Sequence, residues 1–160
     1  MPVTPAVEHL NLEVTTAAFT KIVEQAVRSM GGRLPVEVEL GTVRLVDGGA
    51  EIVAKVKRSI LKAELRARIG ISISDPSTIR IRIDELDAPA WVPVQFVLDH
   101  GVNYATSRPG FSRVSGDAKA IDVKPAEVVT AANVPVSFAQ PGAWSVKPTA
   151  ASLTAHFEAV

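Results

Sequence analysis

The stretch Leu61–Ile73 reads LKAELRARIGISI and alternates apolar residues with charged or small ones throughout. A period of two is typical of a β-strand with one dry face and one wet face. At about 3.3 Å per residue the stretch would be about 43 Å long, whereas a common strand has about 5–6 residues. We therefore expect an unusually long strand that twists and bends.

The same alternation appears on both sides of this strand. It covers residues 36–40 and 52–56 before the strand and residues 79–83 after it. Glycine at 48–49 and Asp75-Pro76-Ser77 supply the residues that tight turns prefer. The region 34–87 is therefore predicted to form an antiparallel meander.

Two segments have a helical period instead of a strand period. Residues 16–30 carry an apolar stripe at i, i+3, i+4, i+7, i+8 and i+11: Phe19, Ile22, Val23, Ala26, Val27 and Met30. Residues 92–106 carry a second one: Val94, Val97, Leu98, Gly101, Val102 and Ala105. Such stripes indicate amphipathic helices whose apolar faces need a partner. The dry face of the meander is the nearest candidate.

The remaining chain gives weaker patterns. Residues 112–123 are predicted to return as one strand, and Pro125 is expected to open a short helix that reaches Ala132. Alternation at 134–138 and at 153–159 indicates two further strands, and the prolines between them favour an edge position or loops. The prediction is one α+β domain over residues 1–160, in which a long, strongly curved antiparallel sheet wraps two amphipathic helices.

This order of elements resembles one half-barrel of the tubular lipid-binding (TULIP, BPI-like) superfamily, in particular its small bacterial members. The similarity rests on the helices at 16–30 and 92–106, the meander at 34–87, and the strand-to-helix step Ala120–Val129. It is a likeness of pattern without a signature motif. It implies a TULIP-like half-barrel that binds lipids or other apolar molecules between the helix and the inner face of the sheet.

Composition excludes several classes of protein. The 160 residues include 17 basic and 17 acidic side chains, for a formal net charge of zero, and 47% are hydrophobic. A disordered chain would have low hydrophobicity and high net charge. The absence of cysteine rules out disulfides, thiolate nucleophiles and Cys-based zinc sites. The start of the chain, MPVTP, has no basic and apolar leader. We expect a cytoplasmic protein, with export after removal of a leader as the alternative.

Catalytic and metal-binding motifs are not apparent. His9, His100 and His156 lack the spacing of metal ligands, and no Gly-x-Ser-x-Gly elbow occurs. The cluster Asp84, Glu85 and Asp87 is better explained as a solvated strand end than as a calcium site. We therefore predict a protein that is not an enzyme and needs no metal or cofactor.

Basic residues recur on the wet face of the predicted sheet. A stripe of this kind could contact anionic headgroups at a membrane surface, through Lys62, Arg66, Arg68, Arg80 and Arg82. Nucleic acid is not expected, because aromatic residues for base stacking are missing between the cations. An ordinary charged sheet face is the alternative, in which Arg68 would pair with Asp84 if Ile73 pairs with Ile79.

The sequence thus favours non-catalytic binding of a lipid or another apolar ligand. The residues predicted to contact the ligand are Phe19, Val23, Val27, Met30, Leu65, Ala67, Ile69, Ile71, Ile81, Ile83, Val97, Leu98, Val102 and Tyr104. The alternative is a structural or protein–protein interaction module with a solid core, which would form homodimers or larger homo-oligomers.

Overall fold

A computed structural model describes residues 6–31 and 34–160. Within these residues the chain forms three helices: α1 (Thr16–Gly31), α2 (Val94–Thr106) and α3 (Pro125–Ala131). All three were predicted, with ends that differ by no more than two residues. Regular apolar spacing identifies α1 and α2, and Pro125 begins α3 at a position where a missing N–H costs nothing.

The strands carry most of the described chain. They are β1 (Ala6–Val7), β2 (His9–Thr15), β3 (Glu37–Val46), β4 (Gly49–Arg58), β5 (Leu61–Asp75), β6 (Thr78–Asp87), β7 (Phe111–Val114), β8 (Asp117–Val123), β9 (Ser137–Phe138), β10 (Gly142–Pro148) and β11 (Ser152–Ala159). The predicted meander is confirmed as β3 to β6. The single strand predicted at 112–123 is a hairpin instead, because Gly116 adopts a positive φ of 79° and reverses the chain.

Six strands form one open antiparallel sheet in the order β3-β4-β5-β6-β8-β7. Strand β5 joins its two halves, since residues 61–70 pair with β4 and residues 66–75 pair with β6. The chain therefore combines helices with antiparallel sheets, as predicted for an α+β protein, although strand predominates.

The predicted long, strongly curved sheet that wraps two helices, the TULIP-like half-barrel, is wrong. The six-stranded sheet is neither curled nor closed. The helices lie towards opposite margins of it: α1 packs against β3, and α2 packs against β8 and β7. Each helix finds a partner at its own margin, so the sheet does not need to fold around a central pair.

Two smaller sheets come from the ends of the chain. Strands β10, β11 and β2 form an antiparallel sheet, and β1 pairs with β9 in parallel. The small sheet encloses an aromatic cluster of Phe138, Trp144 and Phe157, with ring centroids 4.9–5.4 Å apart. Strand β10 was not predicted, because the prolines at both of its ends favoured loops.

Strand β10 also connects the small sheet to the large one. The N–H of Trp144 donates to the carbonyl of Pro76 in the β5–β6 turn at 2.7 Å, and the N–H of Gly48 donates to the carbonyl of Pro148 at 3.3 Å. Backbone hydrogen bonds thus attach the small sheet to one end of the large sheet.

None of the described helices is long and apolar enough to cross a membrane. Residues 1–5, on which the prediction about a leader depends, lie outside the described residues.

Candidate functional site

An open apolar groove of about 280 Å³ lies between α2 and the central strands of the large sheet. Strands β4, β5, β6 and β8 form its floor, α2 forms one wall, and Met30 from the end of α1 closes part of the other side. We call it the α2 groove. It exists because the two helices lie near the margins of the sheet and leave the apolar face of its centre only partly covered.

The floor is produced by strand register. Ile69 of β5 lies opposite Ile83 of β6, and Ala67 lies opposite Ile52 of β4. Because alternate residues of a strand point to the same face, these aliphatic side chains form one continuous surface. They are half-buried, so part of this hydrocarbon surface is still in contact with water.

The wall is the apolar stripe of α2. Leu98 and Val102 are buried, with 7% and 8% exposure, and anchor the helix on the sheet. Gly101 lies between them and also lines the groove. A Cβ built on Gly101 would find Met30 Sδ at 3.9 Å and nothing nearer in the described chain, apart from its own helix. The missing side chain therefore leaves space for a ligand at this point.

A β-bulge adds one residue that the alternation did not predict. Arg68 pairs with Glu85 and Ile69 pairs with Ile83, so Asp84 is an extra residue in β6. The alternation shifts by one position after it, and Leu86 turns to the apolar face beside Ala67. A strict period of two would have placed Glu85 there. The broken pattern at 83–86 was the available signal.

Nine of the fourteen residues predicted to contact a ligand line the α2 groove. They are Met30, Leu65, Ala67, Ile69, Ile81, Ile83, Val97, Leu98 and Val102. The residues not predicted are Ile52, Leu86, Val94, Gly101, Ala105, Lys119 and Ile121. Several of these could have been found, since Val94, Gly101 and Ala105 belong to the recognised α2 stripe. Ligand contact by the nine predicted residues stays a prediction.

Five predicted residues lie elsewhere. Phe19, Val23 and Val27 are half-buried on α1 and do not line the groove. Ile71 is 7% exposed and donates its N–H to the carbonyl of Gly48, near the end of the sheet that meets β10. Tyr104 lines a different cavity. The marginal positions of the helices explain where the α1 residues lie, because they keep most of α1 away from the central strands.

The cavity around Tyr104 has a mixed polar and apolar lining and measures about 250 Å³. Ser29, His100 and Asn103 contribute to its lining. The hydrogen bond with the Ser29 hydroxyl, at 3.4 Å, and the nearby Arg108 guanidinium lower the pKa of the Tyr104 phenol. The ring of His100 contacts the Phe96 carbonyl at 3.1 Å through Nδ1. Of these contacts, the hydrogen bond between Tyr104 and Ser29 joins α2 to α1.

The opposite face of the large sheet is charged, and several of its cations lie near acids. Arg80 donates to both carboxylate oxygens of Asp122 at 2.9 and 3.2 Å. Arg82 donates to Asp117 at 2.8 Å. These partners neutralise part of the stripe predicted to meet anionic lipid.

The other three cations of the stripe differ in their surroundings. Arg66 donates to Glu64 at 3.2 Å, and Arg68 lies opposite Glu85 rather than Asp84 because of the bulge. Lys62 lies opposite another cation, Lys57. Contact between this face and a membrane stays a prediction.

Two histidines come together on the small sheet. The rings of His9 and His156 are 4.7 Å apart in an edge-on arrangement, and His156 Nε2 lies 3.6 Å from the Glu158 carboxylate. In the part of the chain that the structure describes, no group of three or more metal-ligating side chains occurs.

Comparisons with known proteins identify no relative. No protein-family model, no curated protein and no solved structure matches this chain. Similarity to the TULIP superfamily therefore stays a prediction, and the α2 groove has to be interpreted from its own geometry.

Proposed function

We propose that this protein binds an apolar ligand, a lipid or a fatty acyl chain, in the α2 groove without catalysing a reaction on it. The observation that supports this proposal is the lining of the groove, which is aliphatic except for the glycine at 101 and a single lysine. Water in contact with such a surface is unfavourable, and a ligand that displaces it gains free energy without any directional bond.

The size of the groove favours a small ligand. Ligand pockets commonly measure about 300–1,000 Å³, and the α2 groove lies just below this range at about 280 Å³. One acyl chain of medium length suits it better than a two-chain phospholipid. Each buried methylene contributes about 0.8 kcal/mol, so the affinity should rise with chain length until the groove is filled.

Filling the groove tests the proposal. Gly101→Phe would place a ring in the open space, and Ala105→Leu would narrow the groove one helical turn away. Ala18→Phe, on an exposed position of α1, is the matched control. Calorimetric titration with decanol should show at least about tenfold weaker binding for both groove variants, a loss of about 1.4 kcal/mol. The control should bind as the wild type does.

Circular dichroism and urea unfolding distinguish a blocked groove from a lost fold. Binding by a folded Gly101→Phe or Ala105→Leu protein that equals the wild type would contradict the proposal. Native mass spectrometry of protein purified from cells gives an independent measurement, since a bound acyl chain adds its mass to the protein.

Self-association is a second candidate, and a specific observation favours it. None of the side chains at 16–30 is fully buried, and Ile22 of α1 is 60% exposed. A second copy could cover this stripe. Light scattering after size-exclusion chromatography would then show a dimer that Ile22→Glu converts to a monomer, while decanol binding in the α2 groove stays unchanged. A monomeric wild-type protein would contradict this candidate.

A further inference from the structure

One charged side chain contributes to the lining of the α2 groove. Lys119 lies on β8, two residues before Ile121, which pairs with Ile81 of the floor. Two residues along a strand return to the same face, so the stem of Lys119 continues the apolar surface. Among the described residues that line the groove, it is the only one with a formal charge.

Among the residues that the structure describes, the ammonium group of Lys119 has no acidic partner. In the chain at 6–31 and 34–160, no carboxylate lies within ion-pair distance of its Nζ. Asp117 is the nearest acid in sequence and is already engaged. Its Oδ2 accepts from Arg82 Nε at 2.8 Å, and its Oδ1 accepts from the backbone N–H of Lys119 at 3.0 Å.

A second cation strengthens the positive charge on this side of the groove. Arg113 of β7 lies opposite Ile121, and its guanidinium donates to the side-chain oxygen of Asn103 on α2. Asn103 is neutral, so it positions the guanidinium without cancelling its charge. Asp99, also on α2, accepts a hydrogen bond from Gln95 at 3.2 Å. Glu85 lies opposite Arg68 on the other face of the sheet.

We infer that the ligand of the α2 groove is a fatty carboxylate, with its acyl chain between α2 and the sheet and its carboxylate beside Lys119. A single unpaired ammonium at the side of a hydrocarbon groove complements a ligand with one negative charge and one apolar tail. Arg113 adds to the same field at longer range. This inference rests on the proposed function and adds the chemical class of the headgroup to it.

A matched pair of ligands tests the inference. Decanoate and decanol have the same chain length and differ in headgroup charge. Calorimetric titration at neutral pH and low salt should give about fivefold tighter binding of decanoate to the wild type, the gain expected for one solvent-accessible ion pair. Lys119→Met keeps an unbranched apolar stem and removes the charge. It should lose the preference, so that decanoate and decanol bind this variant with similar affinity.

Lys147→Met is the control, because Lys147 is exposed on β10 outside the groove, and it should retain the preference. The preference should also decrease between about 0.01 M and about 1 M salt, where the screening length falls from about 30 Å to about 3 Å. Equal binding of the two ligands by the wild type, or a preference that survives in Lys119→Met, overturns the inference. If the wild type still binds decanol, the proposed function stands. Failure to bind either ligand overturns both.

Discussion

The carboxylate of Asp84 lies over the backbone of Gly70 in the large sheet. A Cβ built on Gly70 would come within 2.5 Å of Asp84 Oδ2, which is closer than real Cβ atoms are found. Asp84 occupies this place because it is the bulged residue of β6, and Arg82 approaches its carboxylate at 3.5 Å. The bulge that turns Leu86 towards the α2 groove thus places Asp84 over a residue without a side chain on the neighbouring strand.

This contact predicts the effect of Gly70→Ala. Replacing a strand glycine with alanine usually stabilises a protein by about 0.5–1 kcal/mol. Here the added methyl group would displace the Asp84 carboxylate, which is the end of an exposed and flexible side chain, so we expect the usual gain to be lost and the protein to be slightly destabilised. In an Asp84→Ala background the same substitution should become neutral or stabilising. Urea unfolding of the four proteins of this cycle measures the coupling. Equal effects of Gly70→Ala in both backgrounds would contradict it.

The opposite result is expected for Gly101→Ala. Gly101 lies inside α2, where glycine is about 0.8–1.0 kcal/mol less favourable than alanine, and an added Cβ meets Met30 Sδ at an ordinary 3.9 Å. We expect the free energy of unfolding to rise by about 0.5–1 kcal/mol, measured with urea. Gly110→Ala is the contrasting substitution. The φ of Gly110 is +86° and its Cβ would lie 2.6 Å from Val128 Cγ2, so this variant should lose stability.

The aromatic cluster predicts a large loss of stability when the Phe157 side chain is removed. This side chain is 2% exposed, and its ring contacts those of Phe138 and Trp144. Phe157→Ala removes that packing and leaves a cavity, with an expected cost of about 3–5 kcal/mol. Phe96→Ala is the control, because Phe96 is 43% exposed, and it should cost about 0.5 kcal/mol. Thermal unfolding followed by tryptophan fluorescence measures both. Similar losses of stability in Phe157→Ala and Phe96→Ala would contradict a core role for the aromatic cluster.

Acid should weaken the contribution of Asp117 to stability. The hydrogen bond from Arg82, and then the backbone N–H of Lys119, lower the pKa of the Asp117 carboxyl below its ordinary value of 3.8. A lowered folded-state pKa gives stability that is fully present above the unfolded-state value and is lost as the pH falls through the folded-state value. The stability difference between wild type and Asp117→Asn should therefore shrink below about pH 4.

Urea titrations from neutral pH to about pH 3 would measure this difference. Arg82→Met is the matched background, since it removes the main cause of the lowered pKa. In that background the pH dependence of the Asp117→Asn effect should be smaller. If the stability difference between wild type and Asp117→Asn stays constant or grows as the pH falls, the lowered pKa of Asp117 is contradicted.

Local pattern was sufficient for most of the secondary structure. The alternation over 61–73 predicted β5, and the stripe from Phe19 to Met30 predicted α1, because the direction of a side chain in a strand or helix depends on its own few neighbours. The same reasoning failed at β10, where Pro141 and Pro148 favoured loops. There the pairing of Trp144 with Phe157 outweighs the local preference.

Most residues that line the α2 groove could be predicted from the same local patterns, and the others could not. Ile69 and Ile83 could be assigned to the groove because both lie on a dry face. Leu86 and Lys119 could not, since a bulge interrupts the alternation before Leu86 and Lys119 is a charged residue on an otherwise apolar face. Phe19 lies outside the groove, and the pattern could not show this because periodicity reveals that a helix has an apolar face but not which strands that face meets.

The sequence by itself determined which segments are helices and strands and which of their faces avoid water, since those properties arise from neighbours along the chain. The tertiary structure alone decided that α1 and α2 lie towards opposite margins of an open sheet and that Asp84 bulges over Gly70. It also decided that a hydrocarbon groove remains between α2 and the sheet, with Lys119 beside it. These features depend on contacts between residues far apart in the chain, and the same local patterns are compatible with many such arrangements.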